Sequence, residues 1–250
     1  MPPTESSPDP LPTDQLRVLV AVCTYNEREN LPVLLPQISA VLPTADIYVV
    51  DDDSPDGTGE WARQTALVDH RLSVLVRTGQ RGLGGALKAA IVHAVEQQYD
   101  FMLNLDGDLS HQPSDLPRLL AAARAVDPPY DVVVGSRYVA EGRIDGWPLH
   151  RKIMSRLVNG FATRMLRLPV KDCSGALRCY RVESLRRLDL AQLRCEGYAM
   201  LEELLMLLQR NGARMSEIPI TFHDRQQGDS KLTTGETIRS VRGLLRMMFR

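Results

Sequence analysis

Short runs of apolar residues recur along the first 136 residues, and most are followed by a stretch with the periodicity of an amphipathic helix. The runs have the length and composition of strands buried on both faces of a sheet. Strands that alternate with helices at short spacing predict an α/β fold with a mostly parallel, Rossmann-like sheet and right-handed crossovers. The predicted strands cover 17–23, 47–50, 72–76, 101–105 and 131–135, and the predicted helices cover 29–42, 60–67, 87–97 and 114–126.

The second part of the chain has fewer apolar runs and longer amphipathic stretches. The stretch over 150–167 predicts a helix with its apolar residues on one face and its basic residues largely off that stripe. A basic and apolar stretch at 237–250 has the pattern of a helix that lies in a membrane interface. A further helix is predicted over 196–211 and a further strand over 218–222.

The composition is that of an ordinary soluble domain, with 44% hydrophobic and 24% charged residues. Residues 1–14 are rich in Pro, Ser and Asp and predict a disordered tail, and no repeat or linker divides residues 15–250, so we expect one domain there. The sequence predicts neither a signal peptide nor a membrane-spanning helix. The four cysteines have neither zinc-site nor disulfide spacing, which favours a reduced, cytoplasmic compartment.

Charge is divided unevenly along the chain, although the formal net charge is only −1. Residues 1–136 hold 9 basic and 19 acidic side chains, whereas residues 137–250 hold 21 and 12. An acidic first part suits a metal ion, and a basic second part suits phosphate groups or an anionic surface. A solvated surface whose charges happen to segregate would give the same counts.

Two of the predicted strands end in acidic residues. Residues 51–53 are all Asp, and Asp106 and Asp108 flank Gly107 after the fourth strand. Open α/β sheets bind ligands beyond the carboxyl ends of their strands, and two carboxylates in one turn can share a divalent cation. Each cluster alone could be a simple turn, but the repetition favours a binding site. The glycines within 82–85 could approach a phosphate, although tight packing is the better interpretation.

A series of short motifs runs through the chain from the first predicted strand onwards. They are TYNERENLP at 24–32, DDDSPDGT at 51–58, GLGGA at 82–86, DGDLSH at 106–111, GSRY at 135–138, GW at 146–147, RKIMSR at 151–156, SGALRCYR at 174–181, EGY at 196–198 and FHDRQQGDSKL at 222–232. Their order and spacing resemble family 2 glycosyltransferases of the GT-A type, and more closely polyprenyl-phosphate (dolichyl-phosphate) mannose synthases. The resemblance implies a GT-A fold with a nucleotide- and metal-binding half over 15–136 and an acceptor-binding half over 137–250.

The resemblance also implies a donor, an acceptor and a metal cofactor. The implied donor is GDP-mannose, the acceptor is a polyprenyl or dolichyl phosphate lipid, and the cofactor is Mg²⁺ or Mn²⁺; no nucleic-acid partner is expected. Metal contacts are implied for Asp106, Asp108 and Ser110, although some members have Gln at the last position. Contacts with the acceptor phosphate are implied for Arg151 and Ser155.

Contacts with the nucleotide sugar are implied at the strand ends and on basic residues of the second half. Cys23 departs from the family, since many members have Pro there, but the contact is expected to be largely through the backbone. The implied contacts are Cys23, Tyr25, Glu27, Val50, Asp52, Asp106, Gly107, Asp108, Arg137, Arg225 and Lys231, of which Asp108, Arg137, Arg225 and Lys231 are the implied catalytic residues.

The chemistry of such a transfer explains the two kinds of charge. A cation on the acidic turn would stabilise the diphosphate leaving group. A phosphate acceptor is already ionised near neutral pH and needs cations rather than a strong base, and direct displacement would invert the anomeric carbon. Two alternatives stay open: a family 2 enzyme that uses another nucleotide sugar such as UDP-glucose, and a non-catalytic sugar-nucleotide-binding subunit of a membrane complex.

A lipid acceptor predicts that the protein works at a membrane surface. We expect it to lie peripherally on the cytoplasmic face, through the helices predicted over 237–250 and 150–167. Alternatively, either helix could pack on the domain itself or dock on a small transmembrane partner subunit.

Overall fold

The computed structural model describes residues 16–79, 81–195, 197, 199–224 and 247. Within these residues the strands are β1 (Val18–Thr24), β2 (Asp46–Asp51), β3 (Leu72–Val76), β4 (Phe101–Asp106), β5 (Val132–Ser136), β6 (Arg143–Asp145), β7 (Arg178–Arg181), β8 (Met215–Pro219) and β9 (Thr221–His223). The α-helices are α1 (Leu31–Val41), α2 (Thr58–Ala66), α3 (Leu83–Glu96), α4 (Asp115–Arg124), α5 (Leu149–Met165), α6 (Val182–Arg186) and α7 (Ala199–Arg210). The predicted tail over 1–14 and the predicted helix over 237–250, apart from Met247, lie outside the described residues.

Seven strands form one sheet in the order β3-β2-β1-β4-β7-β5-β8, and β6 and β9 form a separate parallel pair. The pairs β3–β2, β2–β1, β1–β4 and β5–β8 are parallel, whereas β7 is antiparallel to both β4 and β5. The predicted α/β architecture with a mostly parallel sheet is therefore confirmed.

The prediction of one strand over 218–222 is wrong, because the chain changes sheets inside that stretch. The amide of Ile220 donates to the carbonyl of Ser136 at the end of β5, and its carbonyl accepts from the amide of Arg143 at the start of β6. Residues before it therefore pair with β5 in the large sheet, and residues after it pair with β6. Neither β6 nor β7 was expected from the pattern of the sequence.

The core lies on both faces of the large sheet, and β1 shows how the sequence divides it. Leu19, Ala21 and Cys23 belong to the cluster shared with α3, α6 and α7, whereas the alternate residues Val20 and Val22 belong to the cluster shared with α1, α2 and α4. Side chains alternate between the faces of a strand, so a run that is apolar at every position must be covered on both sides.

Helix α5 turns its predicted apolar face away from the domain. Asn159 and Ala162 are buried, whereas Ile153, Leu157 and Phe161 are 50%, 62% and 56% exposed. Within the described part of the chain, no helix combines the length and apolar character that crossing a membrane requires.

Met247 is the only described residue of the helix predicted over 237–250. Its side chain is 2% exposed and belongs to the core cluster on the α3, α6 and α7 face. The side chain at this position of the predicted interfacial helix is therefore packed on the domain.

Candidate active site

The register of the parallel strands brings the two acidic clusters to either side of the end of β1. Cys23 lies opposite Val50 of β2 on one side and opposite Asp106 of β4 on the other. Burial raises the pKa of the Cys23 thiol, and the negative charges of Asp106 and Asp52 raise it further, so Cys23 remains a neutral thiol. Val50 is fully buried, backbone included, so it offers no exposed atom to a ligand in this arrangement.

In the first acidic cluster, Asp51 is a structural anchor. It is 1% exposed, and its carboxylate accepts hydrogen bonds from Thr24 Oγ1 at 3.0 Å and from the amide of Ser54 at 3.0 Å. These bonds join the end of β1 to the loop after β2. The buried carboxylate of Asp51 therefore holds these two segments in place and does not itself face the site.

Asp52 connects this loop to β3 and α3. Its carboxylate lies 2.6 Å from Nη1 of Arg77 and accepts the amide of Gly82 at 2.6 Å. Burial raises the pKa of Asp52 above its ordinary value, although the Gly82 amide and the Arg77 guanidinium oppose the shift. A Cβ at Gly85 would overlap Nη2 of Arg77, so this glycine makes room for the guanidinium. The predicted tight packing of the glycine stretch is confirmed at this position.

Tyr25 and Glu27 follow β1 and differ in exposure. The ring of Tyr25 lies beneath the guanidinium of Arg81, whose Cζ is 5.1 Å from the ring centroid and whose Nη1 donates to the tyrosine hydroxyl at 3.0 Å. Glu27 is 5% exposed, and its carboxylate accepts from Nδ2 of Asn30 at 2.7 Å. Tyr25 is thus placed at the surface of the site and Glu27 beneath it.

The turn after β4 packs directly on the loop after β1. A Cβ at Gly107 would lie 2.9 Å from Cγ2 of Thr24 and 3.3 Å from Cγ of Glu27, so a larger residue would push the turn outward. Asp108 is 3% exposed, and its Oδ1 accepts hydrogen bonds from the amide and the hydroxyl of Ser110. The side chain of Asp106 is 23% exposed and is the more accessible of the two acids.

These donors suit a divalent cation that shares its coordination with a diphosphate. Among the residues that the structure describes, no three His, Cys, Asp or Glu side chains form a complete metal cage. Mg²⁺ in nucleotide sites is commonly held by one or two carboxylates together with substrate phosphates, and Asp106 and Asp108 provide that number. The hydroxyl of Ser110 is fully buried and donates to Asp108, so in this arrangement it orients an acid of the turn.

Arg137, at the end of β5, is held in a buried ion pair with Asp172. Its Nε and Nη2 donate to the two carboxylate oxygens of Asp172 at 2.7 and 2.8 Å, and Nη2 also donates to Ser174 Oγ at 2.8 Å. Burial opposes ionisation of Asp172, but the charge of Arg137 outweighs it and lowers the pKa of the carboxyl below its ordinary value. The ion pair fixes the plane of the guanidinium at the edge of the site.

The two residues implied for the acceptor phosphate lie one turn apart on α5. The guanidinium of Arg151 stacks 3.8 Å from the ring centroid of Trp147 and lies 3.4 Å from Asp224. The hydroxyl of Ser155 shares a 2.7 Å hydrogen bond with the hydroxyl of Tyr138. Burial raises the pKa of Tyr138.

An aromatic cluster around Phe222 connects the acidic turn with α5. The Phe222 ring lies 5.3 Å from the ring of His111 and 5.5 Å from that of Trp147, in edge-on contact with both. The guanidinium of Arg137 lies 5.5 Å from the centroid of the same ring. The small β6–β9 sheet thus brings the implied metal, catalytic and acceptor residues to one region.

Sequence reasoning missed the functional placement of Tyr138, Asp172 and Phe222, although two of these three residues stood within motifs that it had found. Arg225 and Lys231, both implied for phosphate binding, lie outside the described residues. The remaining implied residues are all described, and they lie at the ends of β1, β2, β4 and β5 and on α5.

An α/β sheet with two acids at the end of one strand, and basic residues at the end of another strand and on a nearby helix, is the arrangement expected of a sugar-nucleotide transferase. The glycosyl transferase family 2 profile matches residues 19–189, and the chain belongs to this family. The resemblance seen in the motifs is therefore confirmed.

Two curated relatives match most of the chain. An undecaprenyl-phosphate mannosyltransferase from Micrococcus luteus is 41% identical over 220 residues, which cover 88% of this chain and 89% of the relative. A polyprenol monophosphomannose synthase from Mycolicibacterium smegmatis is 39% identical over 226 residues, which cover 90% and 84%.

A solved structure with the same fold is glucosyl-3-phosphoglycerate synthase from Mycobacterium tuberculosis, in complex with Mn²⁺, UDP and phosphoglyceric acid. The TM-score is 0.67 at 16% identity, and the match covers 94% of this chain and 79% of that chain. This likeness concerns the fold, and it agrees with the GT-A architecture.

Proposed function

We propose that this glycosyltransferase moves mannose from GDP-mannose to a polyprenyl phosphate and inverts the anomeric carbon. The observation that carries the proposal is the aromatic cluster around Phe222, which links the acidic turn of β4 to the basic and hydroxyl groups of α5. The two mannosyl-transferring relatives support the same chemistry. The product would be a β-linked mannosyl phosphate lipid, released with GDP.

In this reaction an oxygen of the acceptor phosphate forms a bond to the anomeric carbon. The bond from that carbon to the β-phosphate of GDP breaks at the same time, and its electron pair leaves with GDP. The acceptor is already ionised, so no residue needs to remove a proton from it. A divalent cation, Mg²⁺ or Mn²⁺, would supply Lewis-acid stabilisation of the leaving diphosphate.

The side chains of this protein would position both phosphates. Asp106 and Asp108 would hold the cation, with Ser110 fixing the orientation of Asp108 through its hydrogen bonds. Arg151 would offer a guanidinium to the acceptor phosphate, since that ion lies on the surface of α5 and is oriented by Trp147. Arg225 and Lys231, which follow β9 in the sequence, are proposed to bind the phosphates as well.

The acceptor also indicates where the protein works. We propose that it lies peripherally on the cytoplasmic face of a membrane, with the exposed apolar face of α5 against the lipid. Along the axis of α5, Leu157 lies six residues beyond Arg151 and Phe161 lies six residues beyond Ser155, about 9 Å in each case, so a lipid phosphate could meet these groups while its tail remains in the bilayer. A small transmembrane partner that covers α5 is the alternative.

A transfer assay with purified protein tests the reaction. Radiolabelled GDP-mannose, undecaprenyl phosphate and Mg²⁺ should give a labelled lipid, and NMR of the product should show a β-anomer. UDP-glucose under the same conditions should give much less product. Transfer from UDP-glucose alone would reassign the donor, and binding of GDP-mannose without any transfer would favour a non-catalytic subunit.

A further inference from the structure

His111 is a buried histidine whose ring nitrogens make no hydrogen bond within the described structure. The residue is 2% exposed, and neither Nδ1 nor Nε2 has a hydrogen-bond partner. Buried polar atoms are nearly always paired, because an unpaired one loses its bonds to water without compensation. We therefore expect the imidazole of His111, which lies next to the candidate metal site, to form a hydrogen bond when the metal and the nucleotide sugar are bound.

The position of His111 points to Asp106. Nε2 of His111 lies 3.7 Å from Oδ2 of Asp106, beyond the usual 2.7–3.2 Å of an N–H···O hydrogen bond. The Phe222 ring is in edge-on contact with the imidazole, and the amide of His223 donates to the carbonyl of Ser110 at 3.0 Å. The imidazole is thus confined between the turn and β9 and is directed at the more accessible acid of the turn.

We propose that His111 is a positioning residue that donates a hydrogen bond from Nε2 to Asp106 when the divalent cation binds. A shift of about half an ångström brings the two atoms into hydrogen-bond range, and catalytic hydrogen bonds often tighten only in the loaded complex. The bond fixes the carboxylate so that one oxygen faces His111 and the other faces the cation. The inference rests on the proposed function, because it assigns a metal-ligand role to Asp106.

Outer partners of metal ligands have large effects on affinity. Removing a residue that orients a ligand typically weakens metal binding by about 10- to 100-fold. The loss of a residue that only fills space would instead change stability and leave metal affinity alone. Metal affinity and thermal stability therefore separate the two roles of His111.

The experiment compares the wild type with three variants of His111 that differ in whether they have an N–H donor, and in whether it lies near the position of Nε2 or of Nδ1. His111→Phe keeps a ring against Phe222 but has no donor. His111→Gln places an amide nitrogen near the position of Nε2, and His111→Asn places one near the position of Nδ1. Mn²⁺ binding is followed by electron paramagnetic resonance in the presence of GDP, and the melting temperature is recorded with and without Mn²⁺.

We expect His111→Phe to weaken Mn²⁺ binding by about tenfold or more. Its metal-free melting temperature should equal or exceed that of the wild type, because the substitution removes two unpaired polar atoms from the interior. The rise in melting temperature on adding Mn²⁺ should shrink accordingly. His111→Gln should restore affinity close to that of the wild type, and His111→Asn should not.

Other results would overturn the assignment. The assignment fails if His111→Phe binds Mn²⁺ as well as the wild type does, or if Asn rather than Gln restores the affinity. It also fails if metal-free His111→Phe is destabilised, or if the wild type does not bind Mn²⁺ in the presence of GDP. Mannosyl transfer by the wild type is measured in parallel. If the variants behave as expected and no mannosyl lipid forms, the proposed function fails while the role of His111 stands.

Discussion

At the scale of single residues, the proposed metal role of Asp108 can be tested apart from its hydrogen bonds to Ser110. A carboxamide has the same shape and still accepts the hydrogen bonds of Ser110, but it lacks the charge that a cation needs. We therefore expect Asp108→Asn to lower the rate of mannosyl transfer by about 100-fold or more. The free energy of unfolding should change by no more than about 1 kcal/mol.

The matched control for this prediction is Asp53→Asn, in the other acidic cluster. Asp53 is exposed and has a φ of 56°, which Asn adopts as readily as Asp. Transfer rates at saturating Mg²⁺ should be normal in this control. Normal turnover in Asp108→Asn would remove that residue from the metal site.

The hydrogen bond between Tyr138 and Ser155 leads to a second prediction at this scale. Two hydroxyls that share one hydrogen bond keep one further O–H, which can be donated to an acceptor phosphate. Tyr138→Phe keeps the ring and its neighbouring guanidinium groups but removes the phenolic oxygen. One lost hydrogen bond is worth about 1 kcal/mol, so the KM for polyprenyl phosphate should rise about fivefold.

The KM for GDP-mannose is the internal control for Tyr138→Phe and should stay unchanged, because the phenol contacts Ser155, which is proposed to bind the acceptor. Ser155→Ala should show the same pattern. Equal changes in both KM values would indicate that Tyr138 merely supports the general shape of the site.

The sequence identified the acidic turns because a general property of parallel sheets places strand ends together. It could not identify partners that lie far apart in the chain. Asp172 binds Arg137 across 35 positions, and no local pattern marks that contact. Arg137 itself was singled out by its motif, while the residue that fixes its orientation was not.

At the scale of elements, β7 shows why one strand escaped prediction. It contains Arg178 and Arg181, which contradict the apolar pattern of a central strand. Arg178 is nevertheless fully buried, because its guanidinium donates to the carbonyls of Cys173, Gly175 and Leu201. Backbone carbonyls from other parts of the fold thus allow Arg178 to be buried in a central strand, where the sequence pattern predicts only apolar residues.

Helix α7 contains a buried acid that predicts how stability changes with pH. Glu202 is 7% exposed, its Oε2 has no hydrogen-bond partner in the described structure, and burial raises its pKa to about 7. Because the folded pKa lies above the ordinary value of 4.5, the folded state loses stability as the pH rises from about 4.5 to about 7. Above that window the charged form is a constant cost of up to about 3 kcal/mol.

Glu202→Gln removes this charge and should raise the melting temperature at pH 8. At pH 4.5 and below, the variant and the wild type should melt at nearly the same temperature, since Glu202 is then neutral in the folded state. Glu203→Gln is not an equivalent control, because Glu203 accepts the amides of Arg194 and Cys195. Thermal melts of both proteins from pH 4.5 to pH 8 measure this effect. A difference in melting temperature that does not change with pH would contradict the burial of a titrating group at Glu202.

At the scale of the whole molecule, the exposed face of α5 predicts membrane binding. Leu157→Glu combined with Phe161→Glu places two charges on that face and should weaken binding to anionic vesicles by about tenfold or more. Both side chains are more than half exposed, so the fold should tolerate the change. Vesicle co-sedimentation measures the effect.

The matched control carries Leu67→Glu and Val68→Glu, which lie just after α2 and are 79% and 82% exposed. This pair tests whether any exposed apolar position gives the same loss, and its binding should equal that of the wild type. If both double variants bind vesicles equally, α5 is not the contact. If the wild type does not bind vesicles at all, a transmembrane partner becomes the better explanation.

The position of β7 between β4 and β5 has a consequence for how the protein is made. As the chain leaves the ribosome, β4 is complete with one edge unpaired, and β5 has no neighbour in the sheet until residues 178–181 follow. At this stage β4 is an edge strand, and the acidic turn lies at its end. Synthesis of β7 closes that edge, and the next long element, α7, supplies the carbonyl of Leu201 that helps to hold Arg178. The sheet around the candidate site is therefore completed only by the second half of the chain, so that a nascent fragment with both acids of the β4 turn would hold them on β3-β2-β1-β4 with the outer edge of β4 still open.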